Sequence, residues 1–297
     1  MNIKSLLLGS AAALAVSFAV SAASAGTVKL CTASTTGVYH AAGKAIAAMA
    51  PAGAITLIST DGTIDNLRRA LDLPKDHPQS CDALIGQPDV PAMRARLNKA
   101  SVVNLKPIAP LHREYVYVLC GKDSGVKDLS DLEDDPTAYS VAIGPDGSGA
   151  WATWQNFIAE DEDYREIPTT AESDIMALTS VASGTTTCAL LTGGVGVGAV
   201  AEADTTFGDT IVLIPATDGD FDDATTLDGK DLYEFAEIPK VGAYPNTFDR
   251  YWSDIKTVSW NAMLYVNTEK VTDKADQKMF ATAGARAANT IRANYGK

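Results

Sequence analysis

Short apolar, β-prone segments alternate with longer amphipathic ones in the first third of the chain. Helical spacing is clearest where Ile64, Leu67 and Leu71 recur on one face, before Pro74 ends the pattern. The pattern predicts strands at 27–33, 55–59 and 82–86, and helices at 37–50 and 63–73. Elements in this order form a parallel sheet with covering helices, so the predicted fold class is α/β.

A second run of alternating elements begins near residue 116. Residues 115–120 are strongly β-prone, and the amphipathic pattern at 274–293 is typical of a helix. Between these segments the sequence predicts strands at 140–143, 186–191 and 258–266, and helices at 151–159 and 175–183. With 297 residues, the chain has room for two α/β units.

The first 25 residues differ from the rest. Lys4 gives a basic start, residues 6–20 form an apolar run, and Ala23 and Ala25 fit a small-residue cleavage site. This pattern predicts a secretory signal peptide that is cleaved before Gly26. The alternative is an uncleaved membrane anchor, although the run is short for a spanning helix of about 20 residues.

The charge balance excludes some partners. Acidic residues number 37 against 24 basic ones, which gives a formal net charge of −13. Such a chain is a poor candidate for binding nucleic acid or an anionic membrane surface, so we expect no nucleic-acid partner. A small anion is still a possible ligand, because helix N-termini attract anions at short range.

Four cysteines and three histidines limit the redox and metal chemistry. The cysteines are Cys31, Cys81, Cys120 and Cys188. An even number in an exported chain indicates two disulfides, with three possible pairings, and four buried free thiols are the alternative. No CxxC pair occurs, and the histidines do not cluster with the cysteines at metal-ligand spacing, so the sequence predicts neither a metal site nor a catalytic cysteine.

Two strand–helix junctions carry the best candidates for ligand binding. Small hydroxyl residues and glycines there leave the first amides of the following helix exposed, at the positive end of its dipole. The first junction contains Ser34, Thr35, Thr36, Gly37 and Tyr39, and the second contains Gly147, Ser148 and Gly149. Ordinary helix capping is the alternative for either one alone. As a pair, they favour a small anion held between the two units.

Other polar residues also follow predicted strands. These are Asp61, Gly62 and Thr63 after the second strand, Gln87 after the third, and Thr192 and Gly193 after 186–191. Ligands of open α/β sheets bind at the carboxyl ends of strands, so we add these residues to the candidate site.

Signatures of an enzyme are weak. Ser148 lies between two glycines but lacks the outer glycines of a nucleophile elbow, since Asp146 and Ala150 stand there. Gly194 and Gly196 resemble a dinucleotide fingerprint only formally, late in an exported chain. The acidic stretch 218–231 lacks EF-hand spacing and is predicted to be a solvated loop. We therefore predict no catalytic residues and no cofactor.

The ordered set of motifs resembles the solute-binding subunits of TRAP transporters of the TAXI type, over nearly the whole mature chain. The segments that carry the resemblance are 34–39, 61–67, 82–89, 128–132, 144–149 and 238–245. The resemblance implies a type II periplasmic-binding-protein-like fold, with two α/β domains joined by two crossing strands and a ligand cleft between them.

The same resemblance implies domain limits and a disulfide pairing. Domain 1 would be 26–115 with 262–297, domain 2 would be 116–261, and the strands would cross near 114–117 and 258–262. In such a fold Cys31 and Cys81 lie on neighbouring strands, as do Cys120 and Cys188. The implied disulfides are therefore Cys31–Cys81 and Cys120–Cys188.

The implied function is that of a periplasmic subunit that captures a small carboxylate and delivers it to a TRAP-type integral membrane permease. The ligand would be of the glutamate, glutamine or 2-oxoglutarate class, held by the two junctions with Thr192 and Gly193. Tyr39 would cover its apolar part or simply pack in the core, and Arg113 would be the cationic anchor of a dicarboxylate. The alternatives are an oxyanion-binding protein of an ABC importer or sensor system, and a secreted enzyme.

Overall fold

The computed structural model describes residues 27–239, 244–247 and 255–295. The predicted signal peptide and its cleavage site lie outside these residues. The strands are β1 (Val28–Cys31), β2 (Ile55–Ile58), β3 (Ala83–Gly86), β4 (Leu105–Gly121), β5 (Val141–Ala142), β6 (Thr169–Thr170), β7 (Cys188–Gly193), β8 (Ile211–Ile214), β9 (Glu234–Ile238) and β10 (Ile255–Asn267). The helices are α1 (Val38–Ala48), α2 (Thr63–Leu71), α3 (Asp89–Leu97), α4 (Asp131–Asp134), α5 (Gly149–Glu160), α6 (Asp174–Ala182), α7 (Gly198–Phe207) and α8 (Lys274–Tyr295).

The strands form one mixed sheet in the order β2-β1-β3-β10-β4-β7-β5-β6, with β8 paired to β4 and β9 paired to β10. At one end β1 runs parallel to β2 and β3, and at the other β5 runs parallel to β6 and β7. The two long strands β4 and β10 run antiparallel to each other between these groups. This arrangement is the α/β, periplasmic-binding-protein-like fold that the sequence predicted.

Both long strands change partners in the middle of the sheet. Glu114 of β4 pairs with Trp260 of β10, whereas the next residue, Tyr115, pairs with Gly193 of β7. On β10, Ser259 pairs with β9, and the pairing with β4 begins at Trp260. We call the part with β1–β3 and α8 the first half, and the part with β5–β9 the second half. The predicted domain limits at 115 and 262 lie close to these partner changes and stay a prediction.

Each half has its own core of buried side chains, and a further cluster packs Ala152 of α5 with Leu67 and Val90 of the first half. In the first half, α8 packs Phe280 and Ile291 against the sheet residue Leu264. In the second half an aromatic core forms around α5, where the Phe157 ring stacks on Phe221 with centroids 3.9 Å apart. Phe221 lies in the acidic stretch 218–231, so the prediction of a solvated loop is wrong at this point. The apolar ring anchors that stretch by burial.

Each half contains one disulfide. Cys31 at the end of β1 is bonded to Cys81 just before β3, with Cα atoms 5.7 Å apart. Cys120 and Cys188 face each other in the register of β4 and β7, with Cα atoms 4.0 Å apart. These are the two pairings that the family resemblance implied.

The sequence pattern missed several elements. The predicted strand at 115–120 is the last part of β4, which begins ten residues earlier and includes Pro107 and Pro110. Helix α3 begins with Asp89, Val90 and Pro91, and a proline is tolerated in the first turn because those amides have no intrahelical acceptor. Helix α7 and strands β8 and β9 were also not predicted. Among the described residues no helix has both the length and the apolar character that crossing a membrane requires.

Candidate functional site

A cavity of about 300 Å³ lies at the carboxyl ends of β5 and β7 in the second half. Three helices begin at its wall: α5 at Gly149, α6 at Asp174 and α7 at Gly198. The residues that line it are Gly144, Pro145, Ser148, Gly149, Ala150, Ser173, Asp174, Leu190, Leu191, Thr192, Val197, Gly198 and Ala199. The cavity therefore collects the unpaired first-turn amides of three helices.

The turn before α5 is built from glycines and one serine. Gly144 and Gly147 have φ of +79° and +89°, a conformation that residues with a side chain rarely adopt. The Ser148 hydroxyl caps the helix by accepting a hydrogen bond from the Trp151 amide at 3.1 Å, and it donates to the Ile143 carbonyl at 3.3 Å. This cap leaves the amides of Gly149 and Ala150 without an intrahelical acceptor.

The first half reaches this wall through Gln87. The backbone N–H of Gln87 donates to the Thr63 hydroxyl at 3.1 Å. The side-chain oxygen of Gln87, Oε1, lies directly against Gly149. Gln87 is only 7% exposed, and its Nε2 has no hydrogen-bond partner among the described residues. The two halves also approach each other two residues before Gly149, where Gly147 lies close to Ile64 of α2. Of the predicted site residues, Ser148, Gly149 and Thr192 line the cavity. Thr63, Gln87 and Gly147 lie close to these residues without lining it.

Two tyrosines fix the segment that leads into α7. The Tyr117 hydroxyl donates to the Gly194 carbonyl at 3.1 Å, and the Tyr244 hydroxyl accepts from the Gly196 amide at 2.8 Å. Gly193 lies between this segment and Thr192 and does not itself line the cavity. Sequence reasoning missed both tyrosines, because Tyr117 is indistinguishable from the other β-prone residues of its strand.

Tyr39 does not line the cavity and belongs to a buried cluster at the crossing strands. Its hydroxyl donates to Glu114 Oε2 at 2.9 Å, and the Trp260 indole N–H donates to the same oxygen at 2.9 Å. His112 Nε2 lies 3.2 Å from the other oxygen, Oε1. Burial and then the Glu114 charge raise the pKa of Tyr39 well above its usual value, so its hydroxyl remains a donor. Glu114 was not among the predicted site residues.

The other predicted residues lie apart from the cavity. Residues 34–36 are exposed at the start of α1, where Gly37 occupies the cap position, and none of the four lines the cavity. Asp61 is exposed and Gly62 is half-buried, just before Thr63.

Arg113 also points away from the cavity. Its guanidinium donates to Glu234 Oε2 at 2.6 Å and lies 3.4 Å from the Ser259 hydroxyl. Adjacent residues of a strand face opposite sides, so Arg113 and Glu114 cannot share one pocket. The geometry therefore does not support Arg113 as the cationic anchor of a ligand in this cavity.

A model of the NMT1-like family matches residues 30–277. The chain belongs to the NMT1-like family. Among curated protein sequences none matches it. The resemblance to TAXI-type subunits is a finer assignment than this match provides.

Solved structures of similar fold accompany the family match. MatC from Rhodopseudomonas palustris with bound malate is 15% identical, with 88% of this chain and 84% of that chain covered and a TM-score of 0.50. A TctC solute-binding protein from Polaromonas is 15% identical, with 93% of this chain and 90% of that chain covered and a TM-score of 0.51. A periplasmic sulfonate-binding protein, SsuA, from Methylobacillus flagellatus KT is 12% identical, covers 89% and 68%, and has a TM-score of 0.51. At such identities these neighbours show that the NMT1-like chain has their fold.

A second contact joins the two halves of this NMT1-like protein, between α3 and α5. The Thr153 hydroxyl donates to Asp89 Oδ2 at 2.6 Å, and Asn156 Nδ2 donates to the Asp89 carbonyl at 3.2 Å. One turn further, Arg96 donates to Asn156 Oδ1 at 2.7 Å and forms an ion pair with Glu160. Burial raises the pKa of Asp89 to about 7, opposed by the Thr153 hydrogen bond and reinforced by Glu114.

Three carboxylates of the NMT1-like chain could together hold a metal ion. Oxygens of Glu133, Asp161 and Asp218 lie within 4.8 Å of one another, and no other such group occurs in the part of the chain that the structure describes. The Tyr164 hydroxyl donates to Asp218 at 3.0 Å. Burial, followed by a hydrogen bond that protonated Glu133 donates to the Asp161 carboxylate, raises the pKa of Glu133 to about 8. The cluster can therefore retain a proton near neutral pH without a bound cation.

Proposed function

We propose that this protein is a periplasmic solute-binding subunit of the TAXI type, which captures a small carboxylate and delivers it to a TRAP-type membrane permease. The observation that carries the proposal is the cavity at which α5, α6 and α7 all begin. Family membership and a fold shared with solute-binding proteins support it.

Three helix N-termini suit an anion for a physical reason. Each presents unpaired amides and about half a positive charge, which Asp174 opposes at α6, so the N-termini of α5 and α7 can hold a carboxylate without a cationic side chain. The volume of about 300 Å³ lies at the small end of ligand pockets, as a small solute requires. MatC, which has the same fold, holds malate.

Capture would use closure of the two halves about β4 and β10. Gln87 from the first half lies against Gly149 of the second half, and Asp89 bonds Thr153 across the same gap. A ligand that contacts both sides stabilises the closed state by its difference in affinity for the two states. The proposed domain limits at 115 and 262 lie close to the points where β4 and β10 change partners, and these points would then act as the hinge.

The hydrogen bonds of Ser148 favour a protein that binds its ligand over an enzyme that uses this serine as a nucleophile. Its hydroxyl accepts from the Trp151 amide and donates to the Ile143 carbonyl, so both functions of the group serve the turn. A nucleophilic serine instead needs a neighbouring base to take its proton. We therefore propose a binding protein that does not alter its ligand.

The decisive experiment is native mass spectrometry of the mature protein purified from its own periplasm, followed by a thermal-shift screen. We expect a co-purified small carboxylate and stabilisation by the same compound. The shared fold of the sulfonate-binding protein SsuA favours one other candidate, an oxyanion-binding protein of an ABC importer. Stabilisation by sulfonates or phosphate, with none by carboxylates, would establish that candidate and reject ours.

Replacing Gly149 with alanine should weaken ligand binding about tenfold or more, because overpacking a close contact costs about 1–3 kcal/mol. A Cβ at Gly149 would overlap Gln87 Oε1 and lie 3.2 Å from the Thr192 hydroxyl, so the buried Gln87 side chain would have to move before the halves could close. Isothermal titration with the identified ligand measures the effect. Arg113→Ala is the matched control, and its affinity should be unaltered because Arg113 pairs with Glu234 outside the cavity. Equal affinities for Gly149→Ala and the unaltered protein would disprove closure at this contact.

A further inference from the structure

Asp174 is the one charged residue among those that line the ligand cavity. It occupies the first position of α6, at the helix N-terminus that faces the cavity. Its φ of +52° is left-handed, and it is the single non-glycine residue with positive φ among the described residues. Such a conformation is costly for most side chains and is best tolerated by glycine, asparagine and aspartate.

The remaining polar groups of the cavity are neutral donors. They comprise the first-turn amides of α5 and α7 and the hydroxyls of Ser173 and Thr192, since the Ser148 hydroxyl already serves the turn before α5. Beside Gly149 lies the Gln87 amide, which is more than nine-tenths buried and whose Nε2 has no partner among the described residues. Gln87 contacts the lining residue Gly149 but does not itself line the cavity. An unsatisfied buried donor is costly, so the Gln87 Nε2 favours a ligand acceptor close to Gly149.

The cavity therefore offers little net positive charge to a ligand. Each helix N-terminus offers about half a positive charge. The Asp174 carboxylate carries a full negative charge, which exceeds the positive charge at the N-terminus of α6. One ligand carboxylate finds donors at the first-turn amides of α5 and α7. A second carboxylate would find no cationic side chain in the lining and would be repelled by Asp174.

We propose that Asp174 makes this site selective for solutes with a single carboxylate, whose other end is neutral or positively charged, over dicarboxylates. The inference rests on the proposed function and narrows its ligand class. Asp174 acts as a specificity-determining residue at the rim of the cavity, and the main-chain amides supply the affinity.

The test uses pairs of ligands that differ by one charge at nearly constant shape. L-Glutamine is compared with L-glutamate, and succinamate with succinate, by isothermal titration at pH 7.5. We expect the single-carboxylate member to bind about tenfold tighter in any pair that binds, since one unpaired like-charge contact costs about 1–2 kcal/mol.

Asp174→Asn tests the residue itself. Asparagine adopts the left-handed conformation readily, so the turn and the start of α6 should be retained. The ratio of the two dissociation constants within each ligand pair should fall about fivefold, because one nearby negative charge is removed. Glu162→Gln, which changes the net charge equally at a side chain that is 82% exposed, is the control and should leave the preference unchanged.

The outcomes separate this inference from the function on which it rests. Tighter binding of the dicarboxylate member, or an unchanged preference in Asp174→Asn, overturns the role of Asp174 while carboxylate capture stands. Binding of phosphate or a sulfonate with no binding of any carboxylate overturns both.

Discussion

Replacing Glu114 with alanine is expected to lower the free energy of unfolding by about 4 kcal/mol. The Glu114 side chain is almost fully buried where the two long strands change partners, and it accepts hydrogen bonds from Tyr39, His112 and Trp260. Alanine removes the acceptor and leaves three buried donors unpaired on α1, β4 and β10. Urea denaturation of the protein, followed by tryptophan fluorescence, measures the loss.

Two further variants show whether the cost comes from the buried acceptor. Glu114→Gln keeps one acceptor oxygen but directs an N–H₂ group at donors, so an intermediate loss of about 2 kcal/mol is expected. Glu234→Ala breaks an ion pair in which both side chains are partly exposed, and it should cost at most about 1 kcal/mol. A loss for Glu114→Ala no larger than that for Glu234→Ala would contradict a structural role for the cluster.

Arg113 and Glu114 show how far sequence reasoning could go at the crossing strands. The pattern of β-prone residues located the crossing strand, and a cation close to it was a reasonable anchor for an anion. One residue of register decides which side chain enters the buried cluster, since strand neighbours face opposite sides. That register depends on the pairing of β4 with β10, residues far apart in the chain, and local sequence does not encode it.

The cavity wall was predictable only in part, for a similar reason. Glycines and a capping serine mark the turn before α5 in any sequence, and so Gly147, Ser148 and Gly149 could be identified. Nothing local indicates that α6 and α7 begin at the same place, because their convergence follows from the order of β5, β6 and β7 in the sheet. Asp174 was missed for that reason.

The contribution of Asp89 to the free energy of unfolding should fall as the pH rises from about 4 to about 7, through the titration of its carboxyl group. Its side chain is fully buried between α3 and α5, and burial raises the carboxyl pKa from 3.8 to about 7. A carboxyl whose pKa is higher in the folded state than in the unfolded state binds its proton more tightly when folded. Its stabilising contribution is therefore complete below pH 3.8 and is lost as the pH passes 7.

Asp89→Asn removes this dependence and is expected to be more stable than the unaltered protein by up to about 4 kcal/mol at pH 8, with little difference at pH 4. Asparagine keeps an acceptor for the Thr153 hydroxyl, which lies 2.6 Å from Asp89 Oδ2, and cannot ionise. Thr153→Val removes the hydrogen bond that favours the charged form, so it should shift the fall in stability to higher pH. Urea denaturation at intervals between pH 4 and pH 8 compares the three proteins, with the exposed Asp163→Asn as the control for net charge. If Asp89→Asn and the unaltered protein differ in free energy of unfolding by the same amount from pH 4 to pH 8, Asp89 is not the titrating group. Only a carboxyl that changes its protonation within this pH range can produce a difference that grows with pH.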